Sequence, residues 1–138
     1  MTNNEIAYDR FGCDHCWPVE AEAAWSVRLG LVRLLIDESH FRVLILNCEL
    51  CAQRFISVFA EWIDWKNGND PQYWIRLPIT DAESANLLQK PDSISENEIE
   101  DEINVLGKER ASLRRDFPSD AKSPYVYWGR GIHVPPHD

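Results

Sequence analysis

All four cysteines of this chain fall in two short motifs, Cys13-Asp-His-Cys16 and Cys48-Glu-Leu-Cys51. Two C-x2-C pairs brought together present four thiolates at the corners of a tetrahedron, each about 2.3 Å from a zinc ion. A chain that uses them this way must fold so that residue 48 returns to residue 13. Such a site is closed, because four protein ligands leave no position for water or substrate, whereas a catalytic zinc keeps one open. The motifs therefore predict a structural zinc site on Cys13, Cys16, Cys48 and Cys51, and they name no activity. Thirty-one residues, 17 to 47, separate the pairs, more than the roughly 15–20 of a compact ribbon, so a hairpin has to reunite them. Trp17 and Ala52 follow the two pairs where a tight knuckle favours glycine. A thiol redox protein is the main rival, but a redox C-x2-C acts as a single pair at a strand-to-helix step, and here two pairs match.

With 138 residues, 44% of them hydrophobic, the chain can bury a core as one domain over residues 1–138. We divide it into a flexible arm (1–12), a zinc-stapled β region (13–78), a helical region (79–117) and a C-terminal segment (118–138). No apolar run approaches the roughly 20 residues of a membrane span, and the start, Met-Thr-Asn-Asn-Glu-Ile, has neither the basic nor the apolar part of a signal peptide. The expectation is a soluble cytoplasmic protein, in which reduced, paired cysteines read as metal ligands. Lys and Arg number 14 against 23 Asp and Glu, a net charge of −9. Nucleic acid is disfavoured, since phosphate binding rests on clustered Lys and Arg; the one basic cluster is Lys108 to Arg115. Acidity suits a protein partner instead, a basic one for preference.

Taken in order, Pro18 opens a short helical turn through Ala24. Trp25 to Ile36 and Phe41 to Asn47 read as a hairpin that delivers the chain to Cys48, with a helix over 20–36 as the competing reading. Arg54 to Trp65 alternates as a strand, and Gln72 to Leu77 returns, stopped by Pro78. Thr80-Asp-Ala-Glu83 is a capping box that starts a helix over 81–89. Ser95-Glu-Asn-Glu98 starts a second, over 95–115, on the stripe Ile99, Ile103, Leu106, Leu113 and Phe117, with Gly107 as a kink. Tyr125 to Trp128 is a last strand or sheet-edge segment. The fold class expected is α+β: an antiparallel sheet of about four strands, with a zinc-ribbon-like four-cysteine site and two C-terminal helices.

Beyond the cysteines, His133, His137 and Asp138 could gather a second metal with Asp14 or His15, although Pro135 and Pro136 rule out a helical i, i+4 ligand pair. Asp64, Asp70 and Asp81 are candidate acids, the last two already explained by a turn and a helix start. Nearby backbone amides, and side chains such as Gln53 and Arg54, are the donors expected to offset the −2 charge of a zinc with four thiolates. Trp62, Trp65, Trp74 and Trp128 lie in the predicted sheet region and read as core; two or three on one exposed face would mark a protein interface. No phosphate-cradling glycine loop and no G-x-S-x-G occurs.

Cys48-x-x-Cys51-x-Gln53-x-Phe55, Asp64-Trp65-x-x-Gly68-x-Asp70-Pro71-Gln72, Leu77-Pro78, Ser112-Leu-Arg-Arg-Asp116, Tyr127-Trp128-x-x-Gly131 and His137-Asp138 together resemble a group of small bacterial zinc-ribbon-like proteins. The resemblance covers most of the chain from the second knuckle onward. It implies zinc and a bacterial cytosolic setting, and carries no activity with it. The function expected is a non-catalytic protein-interaction or regulatory module. The alternatives are a metal-dependent enzyme with a second site near His133, His137 and Asp14, or the thiol redox protein.

Overall fold

A computed structural model describes residues 11–68, 70–118, 123–131, 134–135 and 137. The short helix α1 (Ala21–Trp25) is followed by β1 (Gly30–Glu38), β2 (Phe41–Asn47), β3 (Arg54–Glu61) and β4 (Gln72–Ile79). Helices α2 (Asp81–Leu88) and α3 (Glu96–Leu106) come next, and then β5 (Ala111–Phe117) and β6 (Tyr125–Arg130). The strands form one antiparallel sheet of six in the order β1-β2-β3-β4-β5-β6.

This corrects the expected architecture of about four strands closed by two C-terminal helices. The helices are an insertion between β4 and β5, and two further strands follow them. The second helix ends at Leu106, where Gly107 takes the cap position and donates its amide to Ile103 O. Residues 111–117 then go extended and pair with β4 from Arg76 to Gln72. Leu113 and Phe117 thus belong to a strand, not to the helical stripe. Lys108 to Arg115 consequently form no basic helical face. Arg114 and Arg115 point to opposite sides of β5, and Arg110 is held by Glu83 at 2.7 and 3.0 Å.

The hairpin of β1 and β2 forms, but β1 starts at Gly30 rather than Trp25, which closes α1. Two register shifts in β1, between Leu31 and Arg33 and between Leu34 and Ile36, put Leu31, Leu34 and Asp37 opposite Leu46, Leu44 and Arg42. A doubly bulged strand therefore shows one face every third residue, the spacing that also suggests a helix. Pro78 lies inside β4 instead of stopping it, opposite Phe55 of β3, because the β4–β5 pairing has already ended at Arg76 and the proline meets only one neighbouring strand. β3 ends at Glu61, which leaves Trp62 and Trp65 outside the sheet, 48% and 88% exposed rather than in a core. Asp64 and Asp70 fasten the turn that follows: Asp64 Oδ1 accepts from the amides of Lys66 and Asn67, and Asp70 Oδ1 from the amide of Asp64.

The two sides of the sheet are covered differently. Phe41, Val43 and Ile45 of β2, Ile56 and Val58 of β3 and Ile75, Leu77 and Ile79 of β4 face Leu87, Ile99 and Ile103 of the helices in one continuous core. The capping box expected at Thr80 and Glu83 starts α2. At its other end, the Arg33 guanidinium donates to the carbonyls of Leu88 and Lys90 at 2.8 Å each, satisfying the helix C-terminus. On the opposite side, residues 11–29 cover only part of the sheet, with Cys16, Trp17 and Ala24 packed on Cys48, Phe55, Ala111 and Leu113.

Candidate metal centre

The β1–β2 hairpin brings the second motif back to the first. Cys48 follows β2 directly, and the motif itself is the connection from β2 to β3. Ala52 donates its amide to Cys48 O and Cys48 its amide to Gln53 O, both at 2.9 Å. The first motif is a turn in which Trp17 donates its amide to Cys13 O at 2.8 Å. Trp17 then inserts beside Phe55 and Trp128, ring centroids 5.6 and 4.7 Å away, so the knuckle is anchored by an aromatic plug.

The four Sγ atoms lie within 4.8 Å of one another. Cys13 to Cys16 is 3.8 Å, Cys13 to Cys48 4.0 Å and Cys16 to Cys51 3.7 Å. A tetrahedron with metal–sulfur bonds of about 2.3 Å has edges of about 3.8 Å. The four cysteines, all free thiols, are therefore spaced to hold one metal ion between them. Cys16 and Cys48 are buried, while Cys13 is half-buried and Cys51 is exposed. Of the described residues, these four alone form such a group.

Backbone geometry adapts to the sulfurs. Ala52 adopts φ 66°, the left-handed conformation expected of a knuckle glycine, and does so with a side chain. The glycine that the site does use is Gly12, one residue before the first cysteine. It has φ +69°, and a Cβ there would stand 2.5 Å from Cys16 Sγ. Its position beside a C-x2-C was the available signal.

The charge environment differs from the expectation. The Gln53 backbone amide donates to Cys51, but the Gln53 side chain does not serve the sulfurs. Its amide group gives hydrogen bonds to the carbonyls of Arg54 and Ile79 at 2.8 and 2.7 Å and accepts from the Gly12 amide at 2.9 Å, tying the first knuckle to the sheet. Arg54 reaches Ser84 Oγ at 3.3 Å, toward α2. The cation that acts on the cluster is Arg76, buried on β4, which donates to Ala24 O at 3.0 Å. Burial pulls its guanidinium down to about 10, and the charge of Cys16 pulls it back up. A lone arginine in the apolar run Tyr-Trp-Ile-Arg-Leu was the signal for it. Among the thiols, hydrogen bonding by the Cys16 backbone brings Cys13 down from 9.0 to about 7, whereas burial raises Cys16 and Cys51.

Among the described residues, the second-site candidates do not gather. Asp14 and His15 are exposed on the first knuckle. His137 is on the other side of the sheet, stacked on Phe41 with ring centroids 4.1 Å apart and paired with Glu100 of α3. His133 and Asp138 lie outside the described residues. Asp81 opens α2 as a first-turn acid. No helix among the described residues is long and apolar enough to cross a membrane.

No protein family, curated protein or solved structure matches this chain.

Proposed function

We propose that the protein is a small interaction module stapled by a structural zinc ion on Cys13, Cys16, Cys48 and Cys51, and that it works by binding another protein rather than by catalysis. The observation that carries this reading is the gathering of all four Sγ atoms within 4.8 Å, with three of the six separations at 3.7–4.0 Å, close to the edge length of about 3.8 Å of a zinc tetrathiolate. Zinc fits better than harder cations because all four donors are thiolates. With every position filled by protein, the ion stabilises the join between the knuckles and activates no water. Kinship with small bacterial zinc-ribbon-like proteins, and a reducing cytosolic setting that keeps the thiols free, belong to the same proposal.

A second reading, thiol exchange, has one observation in its favour. Cys51 is exposed, and Cys13 is held near 7, so a thiolate is available at neutral pH. Cobalt substitution separates the two. Titrating the reduced protein with Co(II) would give sulfur-to-cobalt charge transfer and the visible bands of a tetrahedral ion, saturating at one cobalt per chain and displaced by zinc. Each single Cys→Ser change would weaken the intensity and shift the bands. An octahedral spectrum, or thiols that oxidise pairwise while cobalt is present, would favour exchange chemistry.

A further inference from the structure

The side of the sheet that residues 11–29 leave open is not built as a solvated face. An antiparallel sheet with one face in water usually alternates apolar inward and polar outward. Here the outward positions of β1 and β2 include Leu31, Leu34, Leu44 and Leu46 as well as Asp37 and Arg42, and Leu31 and Leu34 are 65% and 42% exposed. Next to them the strand registers place Arg42, Phe59, Trp74 and Arg115 side by side in one row across four strands. With neighbouring strands ~4.8 Å apart, the two arginines bracket the aromatic pair at a separation of roughly 14 Å.

Phe59 and Trp74 meet at 5.2 Å between ring centroids. Together with Arg42, Leu44, Ser57 and Gln72 they line a shallow concavity of about 310 Å³, room for one large side chain. The Arg115 guanidinium lies 4.3 Å from the Trp74 ring and 5.6 Å from that of Trp25, which fixes its plane. A stacked guanidinium keeps its in-plane N–H groups for a carboxylate. No ion pair among the described residues involves Arg115, and Arg42 has Asp37 alone, at 3.5 Å on the exposed rim. Glu61, the other acid facing this side, is occupied by His40 and Gln72. In a chain of net charge −9, this face presents two guanidiniums, Arg42 and Arg115, with Glu61 already engaged, while Arg76 is buried against Ala24 and is not part of it.

We infer that this face is a docking surface for a protein segment that inserts an aromatic or large aliphatic side chain between Phe59 and Trp74 and sets carboxylates on Arg42 and Arg115. The inference rests on the interaction-module reading above and reverses the partner sign that net charge alone suggests. Half-buried Phe59 and Trp74 flanked by arginines, with lysine absent from the patch, is the composition of an interface hot spot. Two accessible guanidiniums on an acidic chain are too few to hold a nucleic-acid backbone, whose affinity grows with the number of phosphates neutralised.

The test is selection of a phage-displayed library of random twelve-residue peptides on the zinc-loaded protein. The enriched peptides are expected to carry Asp or Glu on both sides of an aromatic or aliphatic residue. Their synthetic versions should shift the Trp74 indole resonance and bind Arg42→Ala/Arg115→Ala about tenfold or more weaker. Arg42→Glu, confined to the exposed rim, should also weaken them even if the double variant folds poorly. Zinc content and melting temperature are read on the same samples, so loss of the metal reading is seen separately from loss of the docking surface. Enrichment of basic peptides, no enrichment over uncoated wells, or acidic peptides binding both variants within twofold would overturn the inference. So would displacement of the peptides by a twelve-nucleotide oligouridine, or a dimer abolished by Arg42→Glu.

Discussion

Two positions around the knuckles should respond to the same pair of residue types with opposite signs. Gly12→Ala forces a Cβ to within 2.5 Å of Cys16 Sγ at a φ of +69°, and should cost about 1–3 kcal/mol and weaken metal binding. Ala52→Gly relieves a side chain held at φ 66°. The relief of about 1–2 kcal/mol exceeds the roughly 0.5–1 kcal/mol of added unfolded-state freedom, so the variant should melt at the same temperature or higher. Thermal melts of the two settle the pair. The thiols also make binding depend on pH. Cys13 ionises near 7, while Cys16 and Cys51 are raised by burial, so the ion must displace protons and its affinity falls as pH falls. Chelator competition at pH 8 and pH 6 should show zinc held more weakly at pH 6, by about tenfold per pH unit for each thiol still protonated; equal affinity would mean that the thiols are not the ligands. At this scale the sequence was legible where one residue type has one use, as with four cysteines in matched pairs. It was opaque where a side chain has several, as with that of Gln53, which laces the knuckle to the sheet rather than serving the sulfurs.

At the scale of elements, local signals succeeded at the starts of α2 and α3 and at the end of α2, which closes at Leu88 with Gln89 as cap, and failed at the end of α3. Thr80 and Glu83 close a reciprocal pair of hydrogen bonds, Thr80 N to Glu83 Oε1 at 2.8 Å and Glu83 N to Thr80 Oγ1 at 3.1 Å, which four residues suffice to encode. The stripe from Ile99 to Phe117 was misread because Leu113 falls seven residues after Leu106, a helical spacing, while its partners Arg76 and Trp128 are remote in sequence. Pairing with β4 and β6 overrides the local pattern. Likewise the two bulges of β1 give a strand an every-third-residue face that no period-2 test finds. The boundary of α3 can be checked by substitution. Ile103→Ala removes a fully buried side chain and should cost about 2–5 kcal/mol, whereas Val105→Ala, at a position 75% exposed, should change stability by about 0.5 kcal/mol or less. Chemical denaturation of both variants measures the difference; similar losses would contradict the assigned helix face.

For the molecule as a whole, the sheet separates two jobs. One side carries the large core with α2 and α3. The other carries the cysteine cluster, the smaller aromatic core and the open face. The metal therefore joins residues 11–29 to a sheet whose main core is on its far side. Removing it should loosen the knuckle layer first. Hydrogen exchange after chelation is expected to accelerate for the amides of residues 12–29 and 48–53, while those of β3, β4 and α3 stay protected; uniform loss of protection would place the metal at the root of the whole fold. This two-sided arrangement was hidden from composition, because a net charge of −9 averages over an arginine-bearing face and because Trp74, expected in the core, lines the open side.

The central claim is that four thiolates hold one structural ion. Its most direct measurement is the metal content of the purified, untagged protein by inductively coupled plasma mass spectrometry, with free thiols counted before and after chelation. One zinc per chain, with the four thiols protected until zinc is removed and all four reactive afterwards, is the predicted result. A metal-free protein whose cysteines react at once, or are found joined in disulfides, would contradict the staple and make thiol exchange the leading account of the two motifs.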